Sequence, residues 1–167
     1  MPTIRDAAEA DLPGILAITN DEILHGTALW SLTPTTLEAR RAWLVERQGR
    51  GFPVLVAAAE EKVLGYASFG PFRPFEGFRH TVEHSLYLVP EARGQGLGMA
   101  LLSALMERAR GSGVHVMVAG IDGNNAASLA LHRRAGFEET GRLREVGRKF
   151  DRWLDLVFMQ KMLGVKT

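Results

Sequence analysis

The sequence predicts an α/β fold, a mixed central sheet flanked by helices, with residues 1–167 forming a single domain. Three observations predict it. Strand and helix signals alternate in the order β-α-α-β-β-β-α-β-α-β-β. Two apolar strand runs, "FPVLVAAA" and "VLGYASFGPF", are separated only by "EEK", which signals a hairpin. Farther on, "TVEHSLYLVP", a glycine-rich loop with its helix, and "VHVMVAGI" make a β-α-β stretch, the part of the sheet that needs to be parallel.

Taken in order, residues 2–6 read as a short first strand. The stripe Leu12, Ile15, Leu16, Ile18 and Ile23 marks a first helix. "TPTTLEARRAWLVERQGRG" reads as a second, with Pro34 at its first helical position behind Thr33. Its buried side is expected at Leu37, Ala42, Trp43 and Val45, and Gly49 and Gly51 end it. The hairpin follows, then "RPFEGFRH" as an irregular loop, then a strand stopped by Pro90. From Leu97 a 3.6-residue stripe runs through Leu101, Leu102, Leu105, Met106 and Ala109. Arg108 and Arg110 suit the negative end of that helix, and Gly111 and Gly113 terminate it. "NNAASLALHRRAG" is a further helix with Asn near its cap and Gly136 at its end. Strands near residues 137–143 and 153–162 close the chain.

Composition narrows the function classes. The 46% hydrophobic and 23% charged residues are ordinary for a globular domain. A net charge of +1, with Lys and Arg dispersed, gives no electrostatic case for nucleic acid or membrane as a partner. There is no cysteine, so disulfides, thiol nucleophiles and cysteine metal sites are excluded. The five histidines show no ligand spacing, so no metal is expected. The N-terminus lacks the pattern of a secretory signal and no apolar run approaches membrane-spanning length, so a cytoplasmic location is expected.

The stretch "EARGQGLGMALLSALMERA" carries the chemistry. Gly94, Gly96 and Gly98 alternate and run straight into a helix, whose first N–H groups have no partner within it. Glycines let such a loop wrap a phosphate, although a flexible Gly-rich turn would look alike. Met99 stands where the dinucleotide fingerprint needs its third glycine, and no G-K-[ST] tripeptide occurs. What remains is R-x-x-G-x-G: Arg93, Gly96 and Gly98 after a strand. This resembles the acyl-CoA-binding motif of the GNAT N-acetyltransferase superfamily, and the element order resembles the GNAT fold over most of the chain.

A second motif agrees. Asn125, Ser128, Leu131, His132 and Gly136-Phe137, followed by Gly141, Lys149, Trp153, Asp155, Phe158 and Gln160, resemble the phosphinothricin acetyltransferase branch. "RPFEGFRHTVEHS" resembles its subgroup acting on methionine sulfoximine and methionine sulfone. The resemblance implies acetyl-CoA as co-substrate, held by Arg93, Gly94, Gln95, Gly96, Leu97, Gly98, Met99 and Asn125. It implies that the pantetheine arm pairs with the strand at Leu86, Tyr87 and Leu88, where an N–H polarises the thioester. It implies a homodimer and Glu83 as general base. Many relatives use a Tyr at the position of His132 to protonate the departing thiolate. A histidine can also donate near neutral pH, or can simply pack against the cofactor.

An amine attacks only when neutral, so a carboxylate beside the cofactor strand is what the chemistry needs. Glu83 fits, its bland alternative being a solvated strand charge. His84 points to the opposite face. Tyr87 is expected to turn its ring away from Glu83 and Ser85 and to contribute its backbone. In "RPFEGFR", Arg73 is the first choice to clamp a substrate carboxylate, with Phe75, Glu76 and Phe78 around the side chain and Arg79 nearby. Lys149 is a further candidate, and a merely mobile surface loop is the alternative. The expected activity is acetyl-CoA-dependent N-acetylation of a small amino-acid-like amine. Acetylation of protein N-termini and a catalytically inactive CoA-binding module are the alternatives.

Overall fold

Helix and strand signals of the sequence become one seven-stranded sheet with four α-helices in the computed structural model, which describes residues 1–164. Chain order is β1 (Thr3–Asp6), α1 (Leu12–His25), α2 (Leu37–Gly49), β2 (Val54–Ala59), β3 (Lys62–Pro71) and β4 (Thr81–Leu88). Then come α3 (Leu97–Gly111), β5 (Val116–Asp122), α4 (Ala126–Arg134), β6 (Glu138–Lys149) and β7 (Arg152–Met162). Across the sheet the strands lie β1-β2-β3-β4-β5-β7-β6. Only β4 and β5 run parallel; every other neighbouring pair is antiparallel. The expected fold class and element order are therefore present.

Two apolar clusters hold the layers. Leu101, Leu102 and Leu105 of α3 are fully buried against Leu55, Phe69, Val82, Met117 and Met159 of the sheet. Each such side chain contributes about 1.5–3 kcal/mol by leaving water. On the other face, Leu12, Ile15 and Ile18 of α1 and Leu44 of α2 pack over Val54, Val56 and Tyr66.

Helix α2 departs from its expected start and its expected face. Thr36, not Thr33, is its cap: Thr36 Oγ1 accepts a hydrogen bond from the Ala39 N–H at 3.2 Å, leaving Pro34 outside the helix. Leu44 is its one buried residue, while Leu37 and Val45 are exposed. The face turned to the sheet also carries the half-buried Arg40, Trp43 and Arg47. Arg40 stacks its guanidinium 3.8 Å from the Trp43 ring centre, and Arg47 Nη1 donates to Ser68 Oγ at 3.1 Å. Arginine stems cover apolar surface as well as leucines do, which an apolar stripe does not reveal.

The last hairpin is longer than expected. Strand β6 continues to Lys149 through two irregularities of register, one between Glu139 and Gly141 and one between Leu143 and Gly147. Phe150 and Asp151, both at positive φ, turn the chain into β7.

The feature that positions the site is where β4 and β5 part. They pair from Thr81↔Val116 to His84↔Ala119 and no farther. Beyond that point β3 still accompanies β4 to Leu88, and β7 accompanies β5 to Asp122. Ser85 to Leu88 therefore have a strand neighbour on one side only, at the mouth of a V.

Candidate active site

The V opens into a cleft of about 950 Å³ lined by the end of α1 and the residues just after it, β4 from Glu83, the glycine loop, the end of β5 and α4. Of the expected cofactor residues, Leu86, Tyr87, Leu88, Arg93, Gly94, Gly96, Gly98, Met99 and Asn125 line it. Gln95 and Leu97 do not: the Gln95 amide donates to the Glu91 carbonyl at 2.7 Å, and Leu97 packs against the core.

The loop is shaped by two glycines in the left-handed region, Gly94 at φ 74° and Gly96 at φ 83°. Any residue with a Cβ is strained there. Among the described residues, the N–H groups of residues 94–99 bond to no protein acceptor. They stand at the positive end of the 15-residue helix α3, which is how backbone holds a phosphate. Asn125 caps α4, its side chain accepting from the Ser128 N–H at 3.1 Å. Arg93 is tied back: its Nη2 donates to Glu22 Oε1 at 2.7 Å and to the Leu88 carbonyl at 3.3 Å. It fastens the loop to α1.

Strand alternation sorts the side chains of β4. Val82, His84, Leu86 and Leu88 turn toward the α3 cluster, whereas Glu83, Ser85 and Tyr87 share the other face. Tyr87 thus does not turn away from Glu83, because residues two and four apart fall on one side of a strand. Its ring packs 5.3 Å from that of Tyr66.

Glu83 is half-buried at the last paired stretch before the strands part. Burial pushes its carboxyl above the usual glutamate range, and Arg73 pulls it partly back. Room for the carboxylate comes from Gly120 on β5, where a Cβ would lie 3.1 Å from Glu83 Oε2.

The loop expected to bind the substrate stands apart from the cleft wall. Arg73, Phe75, Glu76 and Phe78 are exposed, Phe75 by 70%, and none of them lines the cleft. Arg73 lies over the Phe72 ring, 4.2 Å from its centre, and donates to the Phe72 carbonyl. Residues Glu76–Phe78 form a 3₁₀ turn within the loop expected to be irregular. Lys149 is buried under the segment after α1, its ammonium donating to the Glu22 carbonyl at 3.0 Å and the Leu29 carbonyl at 2.7 Å. It does not line the cleft.

The sequence did not single out that segment, and it forms one wall. Thr27 Oγ1 donates to the buried Asp122 carboxylate, which also accepts from the Asn124 N–H. The Trp30 indole donates to the Thr27 carbonyl at 2.8 Å and lies flush on Gly147, where a Cβ would come within 2.5 Å of its ring.

His132 lies in the cleft wall with both ring nitrogens engaged. Nδ1 meets the Ser128 carbonyl at 2.7 Å, and Nε2 meets His84 Nε2 at 3.0 Å. Both rings pack on Phe137.

This geometry has known counterparts. Residues 16–137 match the family described as the acetyltransferase (GNAT) family. The chain belongs to the GNAT acetyltransferase family. The L-methionine sulfoximine/L-methionine sulfone acetyltransferase of Pseudomonas aeruginosa is 60% identical over 95% of this GNAT chain and 92% of that one. An acetyltransferase of Salmonella typhimurium, solved with its cofactor acetyl-CoA, superposes at a TM-score of 0.96. It is 50% identical over 99% of this chain and 95% of that one. A crystal structure named ribosomal-protein-alanine N-acetyltransferase, from Brucella melitensis, superposes at 0.94 with 58% identity, covering 96% and 99% of the two chains. This GNAT protein is accordingly an N-acetyltransferase.

Proposed function

We propose that this GNAT enzyme transfers acetyl directly from acetyl-CoA to the α-amine of a small amino-acid analogue of the methionine sulfoximine and methionine sulfone type. The observation that carries the mechanism is Glu83, a half-buried carboxylate where β4 and β5 part. The single-sided stretch of β4 gives the pantetheine arm an edge to add to, as an extended ligand adds to a sheet. The free N–H groups of residues 94–99 take the pyrophosphate. An N–H at Leu86 to Leu88 polarises the thioester carbonyl and stabilises the oxyanion, a donor worth about 3 kcal/mol in comparable sites. The neutral amine attacks the carbonyl carbon from the Glu83 side, and Glu83 takes its proton as the C–N bond forms. The C–S bond then breaks and its electron pair leaves on sulfur.

Arg73 is the cation that acts on the Glu83 carboxyl, so a carboxylate clamped there stays beside an amine at Glu83. The 60% identity to the Pseudomonas aeruginosa enzyme supports the substrate class. The name of the Brucella melitensis structure favours a second reading, acetylation of protein N-termini. Thiol release from acetyl-CoA with methionine sulfone, phosphinothricin and an alanine-initiated peptide separates the readings. We expect the highest kcat/KM with methionine sulfone. Preference for the peptide establishes the second reading, and no release with any amine leaves a CoA-binding module.

A homodimer is part of this proposal. Leu143, Val146, Phe150 and Trp153 of the last hairpin are each about half exposed, an apolar run that an interface would cover. Light scattering at working concentration is expected to give twice the chain mass.

A further inference from the structure

Two buried histidines meet end to end in the wall of the cleft. His84 on β4 is 8% exposed and His132 on α4 is 5% exposed. Their Nε2 atoms are 3.0 Å apart, a hydrogen-bond distance that requires one proton between two nitrogens. The rest of the pattern places that proton. A carbonyl oxygen only accepts, so the 2.7 Å contact from His132 Nδ1 to the Ser128 carbonyl puts a hydrogen on Nδ1. In a neutral ring His132 Nε2 is then bare, and the shared proton belongs to His84 Nε2. His84 Nδ1 is left as a buried lone pair with no hydrogen bond of good geometry, although the Val118 backbone beside it favours the protonated ring.

Among the described residues no carboxylate pairs with either ring; only the backbone groups of Val118 and Ser128 favour a positive charge, and burial outweighs them. Phe137 covers both rings, Glu83 points from the opposite face of β4, and Asp122 is taken by Thr27 and Asn124. Arg134 lines the same cleft and would repel an imidazolium. Burial holds both imidazoles below the usual histidine range, His84 at about 3.

We propose that His84 is a positioning residue that locks His132 as a neutral imidazole, so that the proton leaving with CoA is the amine's own, carried over by Glu83. The inference rests on acyl transfer in this cleft with Glu83 as base. Its proton balance closes without a second acid. The amine nitrogen gives one hydrogen to the Glu83 carboxylate as the C–N bond forms. The C–S bond breaks with its electrons on sulfur, and the Glu83 carboxylic acid, directly or through one water, returns that hydrogen to the thiolate. Glu83 ends ionised and both histidines end as they began. The His84–His132 bond contributes by fixing the ring that borders the acyl position and by denying it a charge.

The test reads the pair first without substrate. Nitrogen-15 NMR of the imidazoles at pH 7 is expected to show His132 neutral, protonated at Nδ1 and bare at Nε2. An imidazolium, or a hydrogen on His132 Nε2, overturns the proposal. The second reading is the pH profile of kcat. Wild type is expected to show no step from a histidine. His84→Ala admits water to His132 Nε2 and is expected to add a step within about one unit of 6.5, the ordinary histidine value. His84→Gln, whose amide keeps a donor, should remove the step, which no merely space-filling role requires. A histidine step already present in wild type, or the same profile in both variants, also overturns it. Full activity in Glu83→Gln with the expected NMR result would instead count against the base and leave the locked pair standing.

Discussion

Arg93 holds Glu22 across a gap of 2.7 Å, and so the loop expected to grip the cofactor is fastened to the end of α1. Glu22 is buried, whereas the Arg93 side chain is half exposed. Arg93→Ala would leave a buried carboxylate without this donor. The expected loss is about 1.5–3 kcal/mol, the scale of a hydrogen bond to a charged group, read by urea unfolding. Acetyl-CoA affinity should fall with it, because the loop loses its anchor. An unchanged unfolding midpoint would show that the pair is an idle surface contact.

Gly96→Val tests the loop itself. At φ 83° a β-branched residue is a steric outlier, yet among the described residues nothing lies within 4 Å of the added Cβ, so the fold should survive. Calorimetry is expected to show acetyl-CoA affinity reduced by tenfold or more, since strain of about 1–2 kcal/mol falls where backbone must meet phosphate. A folded variant with wild-type affinity would move the cofactor elsewhere.

Glu83→Gln keeps shape and removes the proton acceptor. Turnover is expected to fall about 10²-fold or more at neutral pH. The wild-type profile carries the sign. A protonated Glu83 cannot serve as base, so kcat/KM drops as pH falls through its pKa. Burial raises that pKa, so the drop begins at higher pH than for an ordinary glutamate. Because Arg73 opposes the rise, Arg73→Gln should move the drop to still higher pH.

Arg73→Lys separates reading a carboxylate from holding a loop. A guanidinium offers two parallel hydrogen bonds and an ammonium a point charge. KM for methionine sulfone should rise by roughly 10- to 150-fold, the equivalent of losing about 1.5–3 kcal/mol. With the carboxylate amidated, wild type should perform poorly and the substitution should matter little. Equal sensitivity of both substrates would make Arg73 a loop support, consistent with its stacking on Phe72.

Gly147→Ala reaches the cleft wall at Thr27 from behind. The added methyl would lie 2.5 Å from the Trp30 ring, forcing it off the strand and shifting Thr27 with it. KM for the amine is expected to rise while calorimetric acetyl-CoA affinity stays the same. Equal loss for both ligands would mean that the segment supports the whole cleft.

The α3 stripe was legible because its buried residues are all apolar or small, and the turn before it because glycine takes positive φ without strain. The face of α2 was not, because Arg40 and Arg47 bury their stems while keeping charged ends. Glu83 stood out as a carboxylate in an apolar strand, whereas the meeting of His84 with His132 joins residues 48 apart and leaves no local signal. The Thr27, Trp30 and Lys149 ties are equally non-local, and a polar bend gives no hint of which strand will receive it.

The parting of β4 and β5 leaves the fold short of one strand. A cofactor laid along Ser85 to Leu88, as proposed above, would supply it, and acetyl-CoA would then be a structural member of the sheet as well as a reactant. At 100 times its dissociation constant it would add about 2.7 kcal/mol to the free energy of unfolding. CoA, the product, offers the same pantetheine edge. The loaded chain should therefore resist proteolysis whichever form is bound, and the lifetime of the protein in a cell would track the total coenzyme A pool rather than the fraction that is acetylated.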